Sequence, residues 1–378
     1  MRKKIFHVLP GFLDVETGGG VVTSVKGFVA RCVSRNIGLK NIIISWGNIA
    51  ETQFTQESII VRYFKTSWAA FFFVIRNKII FKNDSLIYCH SFFSPNCFII
   101  LLLCTFFGKK IVVNPRGEFQ KDNICIKKTK KYFVILFWRL FDSLRLKSRE
   151  FPVFCGSSQE EIEDIRKHLG LTVHTRLVRD TPELLDANIL LKTNNSLLEL
   201  DFLKKIKEQK KYLVGVVGRI AHEKNLELAI EVLAASPKME LVVIGSGPTG
   251  YLQKLLRLAK ERQVEKRITW CGFVKKPMLY RYMLKCDTIF VPSFAESYSH
   301  VIADSIQLNL PVVATQNSPW RTVLLLNGME TFDPAENIKT LHLDVARKLA
   351  QVADQKWANR SEILREFEFI PDEVGMLV

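Results

Sequence analysis

Short apolar, β-rich runs recur along this chain, each stopped by small or turn-forming residues and followed by a stretch with helical spacing. KIFHVL (Lys4–Leu9), NIIIS (Asn41–Ser45), LIYC (Leu86–Cys89), KIVV (Lys110–Val113) and Val153–Cys155 form a first series. YLVGVV (Tyr212–Val217), ELVVI (Glu240–Ile244), Ile268–Trp270, Thr288–Val291 and Val312–Ala314 form a second. Strands separated by helices argue for parallel sheets built from βαβ units. The pattern therefore predicts an α/β chain with two doubly wound sheets, one per series. The two series show no internal period that aligns them. The polar, lysine-rich stretch Lys192–Lys211 lies between them. It divides the chain into an N-terminal domain at 1–191, a linker at 192–211 and a second domain at 212–340. The charged, helical pattern over Leu341–Phe369 marks a C-terminal helical segment at 341–378.

With 378 residues, 48% hydrophobic and 24% charged, the chain is long enough for two cores and too apolar to be disordered. A net charge of +16 favours an anionic partner. Nucleic acid, an acidic membrane surface and a nucleoside diphosphate all qualify. The aromatics sit in apolar runs instead of being spaced along a basic face, and no nucleic-acid-binding module is recognisable, so no nucleic-acid partner is expected. The eight cysteines include no Cys-x-x-Cys pair and read as reduced core thiols. The N-terminal apolar run is broken by His7 and Pro10 and reads as a first strand, not a signal peptide. CFIILLLCTFF (Cys97–Phe107) falls short of the roughly twenty residues a spanning helix needs. The expectation is a cytoplasmic protein with no transmembrane segment.

Pro292–Thr315, PSFAESYSHVIADSIQLNLPVVAT, carries the most chemistry. It reads as strand end, loop and helix, with the free N–H groups of the helix start near Ser297, Tyr298 and Ser299. Such a terminus suits phosphate. Glu296 stands in the loop above it, and Asp304, eight residues on, faces it from deeper in the helix. One acid can hold sugar hydroxyls and the other a ribose diol, with a diphosphate between them. GRIAHEKN (Gly218–Asn225) follows a strand and carries Arg219 and Lys224, two cations able to neutralise a departing diphosphate. A plain basic turn before a helix is the other reading. Gly18, Gly19 and Gly20 follow the first strand, and a glycine loop there lets backbone N–H groups approach a ligand. IGSGP, with Gly245 and Gly247, and CGFV, with Phe273, also end strands. In the first half, His90 in IYCHSFFS and Arg116 in NPRGEF stand at strand ends. No Asp-x-Asp triplet and no metal-ligand spacing occurs, so neither a metal nor another cofactor is expected.

These segments resemble the donor site of family 4 glycosyltransferases, whose pattern is Pro-Ser-x-x-Glu-Ser, a second Glu, then Gly-x-Pro-Val-Val-Ala-Thr. Asp304 stands in place of that Glu and Asn309 in place of that Gly. NPRGEF and SPW (Ser318–Trp320) resemble elements of members that assemble bacterial surface polysaccharides, such as O-antigen, capsule or exopolysaccharide. The resemblance is dense from Tyr212 to Trp320 and thin before. It implies the GT-B fold, two Rossmann-like domains facing a cleft, with the C-terminal helix crossing back to the first domain. It further implies a retaining sugar transfer from a nucleotide-diphosphate sugar, the substrate, to a saccharide or polyprenyl-diphosphate-linked acceptor. Catalytic roles then fall to Glu296, Arg219, Lys224 and His90. Donor contacts fall to Gly19, Gly20, Gly245, Gly247, Phe273, Ser297, Tyr298, Ser299 and Asp304, and Arg116 lies on the acceptor side.

Between Lys109 and Arg149 there are twelve Lys/Arg against three Asp/Glu, interleaved with KKYFVILFWRLF (Lys130–Phe141). This stretch reads either as a helix lying on an anionic membrane surface, peripheral at the inner face of the cell membrane, or as a buried core helix. The alternatives to a transferase are a nucleotide-sugar epimerase or hydrolase of the same fold, a catalytically degenerate member, and a basic nucleic-acid- or membrane-binding protein.

Overall fold

The computed structural model describes residues 4–10, 15–34, 39–47, 52–56, 59–79, 85–120, 128–144, 151–178, 180, 182, 211–336, 338–358 and 362–363. The chain divides into two compact units, Met1–Glu183 with Phe367–Val378, and Leu184–Glu366. Apart from Lys211, the linker expected at 192–211 lies outside the described residues.

The first unit is built on an eight-stranded sheet of order β3-β4-β2-β1-β5-β6-β7-β8. Its strands are β1 (Lys4–Pro10), β2 (Lys40–Trp46), β3 (Thr52–Gln56), β4 (Ile59–Phe64), β5 (Ser85–Cys89), β6 (Ile111–Val113), β7 (Val153–Gly156) and β8 (His174–Leu177). All pair in parallel except the edge strand β3, which folds back antiparallel on β4. Helix α1 (Val15–Ser34) packs on one face, and α2 (Ser67–Arg76), α3 (Pro95–Phe106), α4 (Lys128–Ser143) and α5 (Gln159–Leu169) contribute to the core on the other. Alternation along β1 explains the two cores. Phe6 and Val8 join the α2–α5 side, while Ile5 and Leu9 join clusters on the α1 side.

The glycine loop expected after β1 is a correction. Gly18, Gly19 and Gly20 lie inside α1, which already starts at Val15. Each glycine costs a helix about 1 kcal/mol. The buried stripe of Val22, Val25, Val29 and Cys32, at helical spacing, supplies the opposing burial energy. Gly19 and Gly20 stand beyond the first turn, where their N–H groups serve the helix ladder instead of a ligand.

Helix α4 is buried along one side and exposed along the other. Ile135 and Trp138 are buried in the core, while Phe133, 67% exposed, and Leu136, Phe137 and Leu140 face outward. No described helix is long and apolar enough to cross a membrane. Of the described cysteines, all but the half-buried Cys271 are buried, and each is a free thiol.

The second unit holds a fully parallel six-stranded sheet of order β11-β10-β9-β12-β13-β14. Its strands are β9 (Tyr212–Val217), β10 (Met239–Ile244), β11 (Ile268–Gly272), β12 (Thr288–Val291), β13 (Val312–Thr315) and β14 (Glu330–Phe332). Between them run α6 (Leu226–Ala235), α7 (Thr249–Glu261), α8 (Lys276–Lys285), α9 (His300–Gln307), α10 (Arg321–Leu326) and, at the end, α11 (Ile338–Val352). Helix α11 buries Leu341, Val345, Leu349 and Val352 in this unit's core. A return of the chain to the first domain concerns residues beyond Ile363, outside the described ones.

Candidate active site

In the second unit the chain leaves β9 for β10 and β11 on one side, then returns to place β12 on the other side of β9. This reversal opens a crevice at the carboxyl ends of β9 and β12, where ligands bind in open parallel sheets. Both segments that carry the predicted donor residues end there.

After β9, Gly218 adopts φ 148°, and the chain runs through Arg219 into a single turn, His222–Lys224. Asn225, left-handed at φ 49°, closes that turn and starts α6. Lys224 reaches across to the β12 loop, its Nζ 2.7 Å from Glu296 Oε1. Ser293 Oγ donates to the same oxygen at 2.5 Å. The two loops are also tied through the backbone, where Phe294 N donates to Glu223 O at 3.1 Å. Glu296 N donates to Asn317 O at 2.8 Å. Thus Lys224 and Glu296, seventy-two residues apart, form one group. Arg219 stands apart from that contact, 65% exposed at its side chain and paired with Glu223 at 2.8 Å.

Helix α9 begins at His300, directly after Ser297, Tyr298 and Ser299. Ser299 is the N-cap in a left-handed conformation, φ 66°, and makes no capping bond. Its hydroxyl is buried and has no hydrogen-bond partner. An oxygen donor left over beside first-turn N–H groups is suited to a phosphate oxygen. The loop is held by Trp320 of SPW, whose Nε1 donates to Tyr298 O and whose ring lies 5.3 Å from the Tyr298 ring. Asp304, in the second turn of α9, is 4% exposed and accepts from the Tyr280 hydroxyl of α8 at 3.4 Å. Its shorter carboxylate is engaged inside the unit.

Gly245 and Gly247 have a packing reason of their own. A Cβ on Gly245 would lie 1.7 Å from Gly218 O, and one on Gly247 would lie 1.9 Å from Ile220 O. The β10 turn therefore rests backbone-to-backbone on the β9 turn, with Ile220 N donating to Ser246 O at 2.8 Å. Gly245 N donates to Gly272 O at 2.8 Å, which brings the turn bearing the half-buried Phe273 alongside.

In the first unit the equivalent reversal lies between β1 and β5. His90, just after β5, and Arg116, just after β6, meet there, with Nη2 of Arg116 3.1 Å from His90 Nδ1. The guanidinium also forms an ion pair with Asp180 through Nη1. Behind His90, its Nε2 lies 3.0 Å from His7 Nδ1, and His7 Nε2 lies 3.2 Å from Asn41 Oδ1. Burial lowers the pKa of His7 to about 4, and burial together with the Arg116 charge lowers that of His90 well below its ordinary value.

Two buried carboxylates lock the loops that carry this group. Glu118 accepts from Ser91 Oγ at 2.6 Å and Phe92 N at 2.6 Å. Glu161 accepts from Gly117 N at 2.5 Å and Ser157 N at 2.8 Å. Burial raises the pKa of both acids against the pull of these bonds. Sequence reasoning found His90 and Arg116 but missed His7, Asn41, Glu118, Glu161 and Asp180. A polar residue inside an otherwise apolar strand, such as His7 in KIFHVL, is the signal that points to such a partner.

Residues 199–352 match the family model described as glycosyl transferases group 1. Over 102 residues the chain is 33% identical to the N-acetylgalactosamine-N,N'-diacetylbacillosaminyl-diphospho-undecaprenol 4-alpha-N-acetylgalactosaminyltransferase of Campylobacter jejuni, covering 27% of each chain. Over 121 residues it is 27% identical to the O-antigen biosynthesis glycosyltransferase WclY of Escherichia coli, covering 32% of this chain and 33% of that one. The matched stretch thus spans about a third or less of these curated relatives. The structural likeness is longer. The sucrose-phosphate synthase of Thermosynechococcus elongatus superposes with a TM-score of 0.70 at 14% identity, over 100% of this chain and 98% of that one. Anabaena HepE, solved in complex with UDP and glucose, superposes with a TM-score of 0.64 at 15% identity, over 99% and 100%. The two units have the GT-B fold of these proteins.

Proposed function

We propose, from the match of residues 199–352 to glycosyl transferases group 1, that the chain transfers a sugar from a nucleoside-diphosphate sugar to a saccharide acceptor in bacterial surface-polysaccharide synthesis, with retention at the anomeric carbon. The observation that carries this reading is the Lys224–Glu296 contact at the β9/β12 crevice, beside the partnerless Ser299 hydroxyl at the start of α9. In the reaction the bond from the anomeric carbon to the diphosphate oxygen breaks, one to an acceptor hydroxyl oxygen forms, and that hydroxyl's proton passes to the departing diphosphate. Negative charge then builds on the leaving diphosphate. Lys224, Arg219 and the first N–H groups of α9 stabilise that charge. Glu296 orients Lys224 and holds sugar hydroxyls. Retention rests on the family resemblance alone.

Neutralisation is assigned to these cations and not to a divalent ion. The lack of an Asp-x-Asp triplet in the sequence is the ground for this assignment. A polyprenyl-diphosphate-linked acceptor fits two observations. The Campylobacter relative is named for a diphospho-undecaprenol substrate, and α4 presents outward aromatics beside Lys130 and Arg139. Such a helix face would hold the protein peripherally at an anionic membrane.

The deciding experiment is a thermal-shift titration with UDP, GDP, dTDP, CMP and NAD, run beside Arg219→Ala. Arg219 is the cleaner target, since it is exposed and its loss strands no buried charge, whereas removing Lys224 would strand Glu296. One nucleoside diphosphate should stabilise the wild type and do so less in the variant. No stabilisation by any diphosphate would overturn the donor-site assignment.

A further inference from the structure

Arginine only donates hydrogen bonds, and this fixes every proton in the row that runs behind Arg116. Since Nη2 of Arg116 donates to His90 Nδ1, the proton of the neutral His90 ring sits on Nε2. That Nε2–H donates to His7 Nδ1, so the proton of His7 sits on its own Nε2 and is given to Asn41 Oδ1. The row crosses from the turn after β6, past β5 and β1, to β2, and its His and Asn members are at most 4% exposed. Both ring nitrogens of His90 are used. Around the row stand Cys32 of α1, Tyr88 of β5, Cys155 of β7 and the Asp180 carboxylate; among the described residues, Arg116 supplies the cation acting on both rings.

We propose that Asn41, His7 and His90 form a proton-ordered support that aims the Arg116 guanidinium at the carboxyl edge of the sheet, with His7 and Asn41 as positioning residues and His90 as a neutral acceptor, not a proton carrier. The support adds no charge of its own, so the two rings put no pH-dependent positive charge beside the Arg116 guanidinium, which pairs with Asp180 and is offered to an anionic acceptor group. That Arg116 reads the acceptor rests on the function proposed above; the ordering of the row does not.

Long-range 1H–15N correlation on the full-length, 15N-histidine-labelled protein tests the ordering directly. Two histidines should show a protonated Nε2 and a bare Nδ1 at pH 7, unchanged down to pH 5.5, with His7→Gln deleting one of them for assignment. Either ring protonated at Nδ1, or found as imidazolium, overturns the proposal without any variant having to fold. The positioning role is read at Arg116, whose Nε–H is buried. Its hydrogen exchange should be slow in the wild type and in His7→Gln, because a carboxamide can accept from His90 and donate to Asn41. In His7→Leu it should speed up by about tenfold or more. Equal protection in His7→Leu and wild type would sink the positioning role. Neither measurement uses a nucleotide or a sugar, so each can fail while the glycosyltransferase reading stands.

Discussion

His7 and His90 are held neutral in a place where an unfolded chain would let them charge, and that couples folding to pH. The folded pKa of His7 is lowered from 6.5 to about 4 by burial. Between those values the unfolded state binds the extra proton, so the stabilising contribution is complete above pH 6.5 and is lost as pH falls toward 4. A shift of this size corresponds to roughly 3 kcal/mol for His7 alone. Glu118 and Glu161 work with the opposite sign, since burial raises their pKa values and the folded state then holds the extra proton. The comparison that isolates His7 is therefore between wild type and His7→Gln, with both acids present in each. Urea denaturation at pH 7.0 and pH 4.5 should show the wild type losing up to about 3 kcal/mol more than the variant on acidification. Parallel acid limbs would mean that His7 is charged in the folded protein.

At the scale of elements, the central strands were legible because each is an apolar run buried on both faces, and Tyr212–Val217 and Thr288–Val291 appear with the bounds their composition implies. The edge strands other than β11 were not. β3 reads TQFTQ, β8 is largely exposed and β14 spans three residues, so pairing partners and not composition make them strands. The start of α1 was hidden for a related reason, as local glycine chemistry argued for a loop and distant burial outweighed it. In the site, motifs exposed Arg219, Lys224 and Glu296, but no motif could show that Gly245 is required by the carbonyl of Gly218.

That requirement predicts a contrast between two glycines five positions apart, Gly245 and Gly250. Gly245→Ala places a Cβ against backbone at φ 153° and should cost about 3 kcal/mol. Gly250 lies in the first turn of α7 with nothing within 4 Å of an added Cβ. Gly250→Ala should be neutral or stabilising by up to about 1 kcal/mol. Thermal unfolding of both variants checks this, and similar losses in the two would refute the backbone-contact account. The outward face of α4 carries its own expectation. The protein should co-sediment with phosphatidylglycerol-rich vesicles and far less with phosphatidylcholine ones. Phe133→Ser with Phe137→Ser should weaken this about tenfold or more, given the apolar area each ring exposes. Vesicle binding unaffected by the double substitution would remove α4 from the membrane reading.

For the whole molecule, the described apolar clusters partition cleanly between the two units. Those built on β1–β8 draw on residues from Ile5 to Val178, and the one built on β9–β14 draws on residues from Tyr212 to Val352. A unit with its own sheet and core has the means to melt on its own account. Calorimetry should then resolve two transitions that answer to different perturbations. Gly245→Ala should lower one by roughly 10 °C, and the His7-dependent acid destabilisation should appear only in the other. The stabilising nucleotide, at about a hundred times its Kd, should add roughly 2.7 kcal/mol and raise only the transition that Gly245→Ala lowers, because Lys224, Glu296 and Ser299 all belong to that unit. A nucleotide that raises both transitions equally, or a single transition moved by every one of these changes, would show that the donor-site energetics extend beyond the second unit and that the two sheets fold as one cooperative body.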